Sequence, residues 1–212
     1  ESVVRSTLER IDTLDKHVQA WAHFDREQAL AAARELDRLP TRGPLHGVPF
    51  GVKDILDTHD MPTQYGSTIY RDHHPRTDAA TVAMTRRLGG LILGKTTTTQ
   101  FATFPPSKTA NPHDATRTPG GSSSGSAAAV AAGMVPVAFG TQTTGSIIRP
   151  AAFCGCIGYK PSFGTLPRIG VKAITESFDT VGVFTRSAQD AAYVTQALAG
   201  REDLSVDAAN FA

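Results

Sequence analysis

The stretch GGSSSGSAAAVAAGMVPVAFGTQTTGSIIR, Gly120 to Arg149, decides how this chain is read. It opens on a glycine/serine cluster, runs through an alanine-rich segment, crosses a short apolar run and closes in a second glycine/serine turn. Glycine lacks Cβ and tolerates positive φ, so turns of this composition let a ligand approach the backbone closely. Ala127 to Ala132 has strong helix propensity, and Gly133 is a natural stop. Val135 to Phe139 reads as a strand whose Pro136 suits a sheet edge or a strand start. Two serine-bearing turns are thus held by regular elements, an arrangement suited to a hydrolytic site.

Upstream, Val4, Leu8, Ile11, Leu14 and Val18 recur at three- and four-residue steps and predict an amphipathic helix. Asp25 followed by Gln28 resembles a capping box, and Ala29, Leu30, Ala33 and Leu36 predict a second helix. Together they form a helical layer over about 1–40, ended by Pro40 and Gly43-Pro44. Val48 to Val52 predicts a strand that delivers Lys53 and Asp54 at its end, which the segment alone reads as a surface pair. Asp78 is expected to cap a helix through Leu88, terminated by Gly89-Gly90. Leu91 to Leu93 predicts a brief buried strand, Thr96 to Phe101 a short helix and Ile157 to Tyr159 a further strand. Ser187 and Asp190 box the start of a last helix ending at Gly200. Helices and short strands alternate without repeats, which predicts one α/β domain over 1–212.

Bulk properties exclude several classes. The chain is 40% hydrophobic and 19% charged with a net charge of +1, so nothing in its charge invites nucleic acid or an anionic membrane. No apolar run approaches the roughly 18 residues of a membrane span. Cys154 and Cys156, the two cysteines, are too close in sequence for an easy mutual disulfide and have no histidine near them. They read as small buried hydrophobes in a reducing, cytoplasmic setting. Neither a metal nor a cofactor is expected. The adjacent His73 and His74 point apart in extended chain and make a poor metal pair.

Two motifs fit their patterns in letters only. Gly89 to Thr96 satisfies GxxxxGK[ST], yet a phosphate loop needs a strand before the first glycine and a flexible loop after it. Here a helix precedes, and the would-be loop is Leu91-Ile92-Leu93. Gly121 to Gly125 satisfies GxSxG with Ser123 at its centre, but that elbow places its histidine after the serine. All seven histidines lie at or before His113. A serine can instead be activated by a lysine that its surroundings hold neutral.

At this point the residues resemble a known family, the amidase signature enzymes. The resemblance is carried by Gly47-Val48-Pro49, Lys53-Asp54, Gly94-Lys95-Thr96, Pro119 to Ala132, Gly140 to Pro150 and Gly158 to Pro161, in that order. It implies a three-layer α/β/α fold with a central mixed sheet, here without the C-terminal part of longer members. It further implies a Ser-cisSer-Lys triad with Ser146 as nucleophile, Ser122 as bridging cis-serine and Lys53 as base. Chain spacing alone does not bring these three together. The backbone amides of Thr143, Thr144, Gly145 and Ser146 would form the oxyanion hole. As base, the lysine must titrate near ~7–8 in place of ~10.4.

The string Gly-Thr-Gln-Thr at 140–143 also resembles the malonamidase-like branch. That likeness implies that Arg149 anchors a substrate carboxylate; the competing role is to orient the turn. Ser123, beside the cis-serine, is a second candidate on the substrate side, or else tunes the relay or caps the helix. Thr144 stands where the family usually has glycine, and a φ above zero there would strain the turn. The expected activity is hydrolysis of a carboxylic amide to the acid and ammonia or amine. The rivals are a glutamine amidotransferase A-type subunit of the same family and a catalytically silent fragment. The expected partner is a small-molecule amide, with a homodimer left open.

Overall fold

The computed structural model describes residues 1–40 and 42–200. Six strands, β1 (Trp21–Phe24), β2 (Pro49–Lys53), β3 (Leu91–Thr96), β4 (Val137–Gln142), β5 (Ile157–Tyr159) and β6 (Thr180–Thr185), form one sheet. Their order is β1-β3-β2-β4-β6-β5. The central three, β3, β2 and β4, run parallel, and the flanking β1, β6 and β5 pair antiparallel, so the sheet is mixed.

Both faces of the sheet are covered. On one side lie α1 (Ser2–Val18), α2 (Arg26–Arg38), α4 (Ser124–Ala131) and α5 (Ile148–Cys154). On the other lie α3 (Ala80–Arg87) and α6 (Ala188–Ala199). Strand residues alternate between the two cores as a period of two requires: Leu91 and Leu93 join α1 and α2, while Ile92 joins α3 and α6. This is the α/β/α sandwich expected. α1 buries Val4, Leu8 and Ile11, and Asp25 Oδ1 accepts from Gln28 N at 3.0 Å to cap α2.

α4 carries no amphipathic stripe because seven of its eight residues are buried. It lies close against its neighbours through glycine. A Cβ on Gly125 would stand 2.1 Å from Ala20 O and 2.4 Å from Thr97 N. A Cβ on Gly140 of β4 would stand 2.9 Å from Ser123 Oγ and 2.5 Å from the Phe184 ring. The first turn of the helix and the middle of the strand therefore meet without an intervening carbon.

Several expectations need correction. Asp78 does not cap α3, whose N-cap is Ala79; its carboxylate accepts from His59 N and pairs with Arg86. Thr96 is the last residue of β3, and only Gln100–Ala102 make a single 3-10 turn, so no helix starts at Thr96. β4 starts at Val137, two residues later than expected, and runs on to Gln142. β1, β6 and α5 were not foreseen: β1 and α5 are short, α5 begins immediately after a turn, and β6 is buried along its whole length, which hides any alternation. Thr144 is not among the non-glycine residues with positive φ, so the strain anticipated there does not arise.

Candidate active site

The site is built at the carboxyl ends of the central strands, where open α/β sheets commonly place their chemistry. β2 ends on Lys53, whose register partner on β3 is Thr96. The Lys53 side chain is wholly buried, and its Nζ lies 2.9 Å from Ser122 Oγ and 2.8 Å from Thr141 Oγ1. Thr141 O is a further acceptor at 3.5 Å. Burial pulls the amine down to about 7, against the opposing pull of the Asp179 carboxylate. Among the described residues no carboxylate bonds the amine directly, so none in contact with it compensates a positive charge. A neutral amine has two N–H donors and one lone pair. The two oxygens of Thr141 suit the donors, which leaves the lone pair for the hydroxyl proton of Ser122.

Ser122 is fixed from both sides. The Gly121–Ser122 peptide is cis. Ser122 O accepts from Thr99 N at 3.1 Å and Thr98 Oγ1 at 3.2 Å, and Gly125 N donates to Thr97 O at 2.8 Å. Arg149 Nε and Nη2 both donate to Gly121 O, at 2.9 and 2.7 Å. Two of the guanidinium's nitrogens thus hold the turn through a backbone carbonyl, and among the described residues Arg149 makes no ion pair. Ser123 is also spent internally: it is buried, donates to Thr141 O at 3.3 Å and accepts from Thr141 N at 3.4 Å. A substrate contact for Ser123 does not fit that place. Nor does Ser123 supply a side-chain cap to α4, which leaves it as a strut between helix and strand.

The second turn joins β4 to α5. Gln142 Oε1 accepts from Ile147 N at 2.8 Å and Ile148 N at 3.0 Å, which ties the strand end to the first amides beyond Ser146. Thr143 Oγ1 donates to Asp179 Oδ1 at 2.5 Å. Among the described residues, the amides of Thr143, Thr144, Gly145 and Ser146 donate to no protein acceptor. Amides without a protein acceptor are what the expected oxyanion hole requires. Ser146 is half-buried, and its hydroxyl makes no hydrogen bond among the described residues. Lys53 and Ser122 are therefore in contact, while Ser146 stands on the neighbouring turn.

Asp54 does not pair with its neighbour Lys53 on a surface. It is buried, accepts from Gln64 N at 3.0 Å and lies 3.5 Å from Lys95 Nζ. Lys95, the lysine of the apparent phosphate loop, is also buried and donates to Leu56 O at 2.7 Å and Thr63 Oγ1 at 2.5 Å. Burial lowers this amine to about 8 and raises the Asp54 carboxyl. A cavity of about 500 Å³ lined by Asp54, Gln64, Thr97, Thr98 and Gln100 opens beside the strand ends. A second, of about 180 Å³, is lined by Thr99, Gly120, Gly121, Arg149 and Phe153.

One cluster, His59, Asp60 and Asp78, brings ligand atoms within 4.8 Å of one another. Arg86 already bonds both carboxylates, at 2.7 Å to Asp60 and 3.0 Å to Asp78, so a cation there would have to displace a guanidinium. His73 Nε2 lies 3.2 Å from Tyr65 OH, which also bonds Asp57 Oδ1 at 3.2 Å, and His73 belongs to no cluster of three ligands among the described residues. Cys154 and Cys156 are free thiols that burial pushes up to about 12. Thr141 and Asp179 were missed in the sequence. The only signal for Asp179 is an acid set directly before an apolar strand.

A mixed sheet between two helical layers, with paired serine turns at the strand ends, has the architecture of amidase signature enzymes. The chain belongs to the amidase family, which it matches over residues 2–212. It is 45% identical to the A subunit of the glutamyl-tRNA(Gln) amidotransferase of Acidothermus cellulolyticus, over 98% of this chain and 44% of that one. Among solved structures it resembles the peptide amidase of Stenotrophomonas maltophilia, with a TM-score of 0.90 and 39% identity, over 95% of this chain and 45% of that one. It also resembles the A subunit of the glutamyl-tRNA(Gln) amidotransferase of Thermotoga maritima, with a TM-score of 0.82 and 35% identity, over 97% and 45% of the two chains. The chain thus spans less than half the length of these relatives. Among the described residues, no helix is long and apolar enough to cross a membrane.

Proposed function

We propose that the protein, acting as one domain over 1–212 in a reducing, cytoplasmic compartment, is an amidase that cleaves a carboxylic amide to the acid and ammonia or amine. The observation that carries this reading is the buried Lys53 amine, held at about 7 and 2.9 Å from Ser122 Oγ. Neutral Lys53 takes the proton of Ser122, Ser122 takes that of Ser146, and Ser146 Oγ attacks the amide carbonyl. The free amides of residues 143–146 receive the oxyanion. The relay then returns the proton to the leaving nitrogen, the C–N bond breaks, and water hydrolyses the acyl-enzyme. Arg149 steadies the turn from Gly121 O and lines the smaller cavity. The substrate partner is a small-molecule amide, with neither metal nor nucleic acid required.

A second reading is an amidotransferase component that uses the same acyl chemistry to release ammonia for a partner. The 45% identity to a protein of that name favours it. Intact-mass and peptide mass spectrometry after incubation with a fluorophosphonate, and with simple amides plus hydroxylamine, test the shared chemistry. A single adduct on Ser146 is expected, absent in Ser146→Ala. An adduct that persists in Ser146→Ala, or a folded wild-type protein that is never labelled, would overturn the proposal. Glutaminase activity that appears only with a partner and ATP would select the amidotransferase.

A further inference from the structure

Asp179 is a buried acid that the relay does not use. Both of its oxygens are engaged, and they join two separate segments. Oδ1 accepts from Thr143 Oγ1 at 2.5 Å, in the turn that carries Ser146. Oδ2 accepts from Ile174 N at 2.7 Å and Thr175 N at 3.0 Å, which closes the loop leading into β6. All three contacts are donors to a carboxylate, an arrangement that suits the ionised form.

The sheet register puts this carboxylate level with the reacting turn. Thr141 opposes Val181 and Gln142 opposes Thr180, so Thr143 and Asp179 are the first residues past the end of the β4–β6 ladder. Thr141 is also the residue whose hydroxyl lies 2.8 Å from Lys53 Nζ. We propose that Asp179 is a positioning residue for the amidase reaction: it fastens the Ser146 turn through Thr143 and sets the electrostatic field in which Lys53 works. This rests on the reading of Lys53 and Ser146 given above.

The charges around Lys53 leave Asp179 without a competitor. At the end of β2, Asp54 is paired with Lys95 of β3. From α5, Arg149 is committed to Gly121 O. β4, α4 and β6 contain no charged residue. Among the described residues, Asp179 is accordingly the one charge that acts appreciably on the Lys53 amine, and it favours the ammonium. Neutralising it makes the amine a weaker base, so the neutral form persists to lower pH.

The test uses two readouts on the protein as it stands. The first is the titration of Lys53 by NMR with ¹³C-labelled lysine, assigned by the resonance lost in Lys53→Met. The second is the rate at which a fluorophosphonate labels Ser146, followed across pH. In Asp179→Asn the Lys53 midpoint is expected to fall by roughly one pH unit, with the acid limb of labelling moving with it. Thr143→Val keeps the carboxylate but loses its bond to the turn. It is expected to leave the midpoint in place and slow labelling about tenfold, the order of one hydrogen bond to a charged group. Thr143→Ser is expected to restore the rate.

A folded Asp179→Asn protein whose Lys53 midpoint stays at the wild-type value overturns the inference. A wild-type labelling rate in Thr143→Val overturns it as well, and that pair decides the matter should Asp179→Asn not fold. Wild-type protein that is never labelled sinks the amidase reading and this role with it. The lysine midpoint is read without turnover, so failure of Asp179 alone is distinguishable.

Discussion

Replacement of Lys53 by methionine is expected to slow acylation of Ser146 by about a thousandfold while raising the stability of the fold. The first effect follows from loss of the general base, whose contribution in enzymes spans roughly 10²–10⁴-fold. The second follows from burial. Lys53 titrates at about 7 in the folded protein against 10.5 for a lysine side chain free in water. Between those values the unfolded chain holds a proton that the native chain does not, so stability rises with pH across that window. The size of the term is about 5 kcal/mol at most, at ~1.4 kcal/mol per unit. Below about pH 7 the native amine is protonated too, and the penalty levels off.

Methionine fills similar space with no charge to desolvate, so the variant escapes the penalty. Chemical denaturation at about pH 7.5 and about pH 9.5, both inside that window, reads this directly. The wild-type free energy should rise between the two, and that of Lys53→Met should rise less, its remaining slope coming from the buried Lys95 amine at about 8. Equal rises in the two proteins would show that the Lys53 amine is not neutral in the fold.

Lys95→Met is expected to destabilise the protein by about 3–5 kcal/mol, the range found when one partner of a buried ion pair is removed. The reason is what stays behind. Asp54 is 2% exposed, and Leu56 O and Thr63 Oγ1 lose the ammonium that ties the chain after β2 back to β3. The loss should be smaller at about pH 5 than at about pH 8. Burial raises the folded pKa of Asp54 above its unfolded value, so the native state binds the extra proton and stability falls as pH rises. The double variant Lys95→Met/Asp54→Asn should recover part of the loss, because it removes the unpaired charge. Thermal denaturation of the three proteins at both pH values separates these outcomes. Equal losses in acid and in base would place the defect in packing and not in charge.

The family and the layered α/β/α fold were legible in the sequence through its motifs, while the short elements and the long-range contacts were not. Lys53, Ser122 and Ser146 stand in motifs whose order resembles one family, and two of the three fall within the single stretch from Gly120 to Arg149. Long helices announced themselves because α1 and α2 repeat their apolar positions over several turns. β1, with four residues, is too short for alternation to register, whereas the three residues of β5 were read as a strand. The helix expected from Thr96 failed for another reason. Its first residue continues a buried parallel strand, and tertiary pairing overrode the local preference. The partners of the two buried lysines were beyond sequence reasoning. Lys53 finds Thr141 across 88 residues and Lys95 finds Thr63 across 32, and no local pattern encodes either distance. The apparent Lys53-Asp54 pair shows the same limit: adjacent side chains on a strand point to opposite faces, and so answer to different partners.

The missing carbons at Gly125 and Gly140 have a consequence for how this site could drift. They set the thickness of the layer between α4 and the sheet, and the gap between relay serine and lysine amine is inherited from that thickness. Lys53 and Ser122 have little adjustment of their own, because strand pairing holds the first and bonds to its carbonyl hold the second. A single added methyl would act like a shim under a bearing. The three side chains proposed to react would remain in the chain while the Lys53–Ser122 contact opened. Loss of chemistry in such a chain would then be invisible to any inspection of the reacting residues alone.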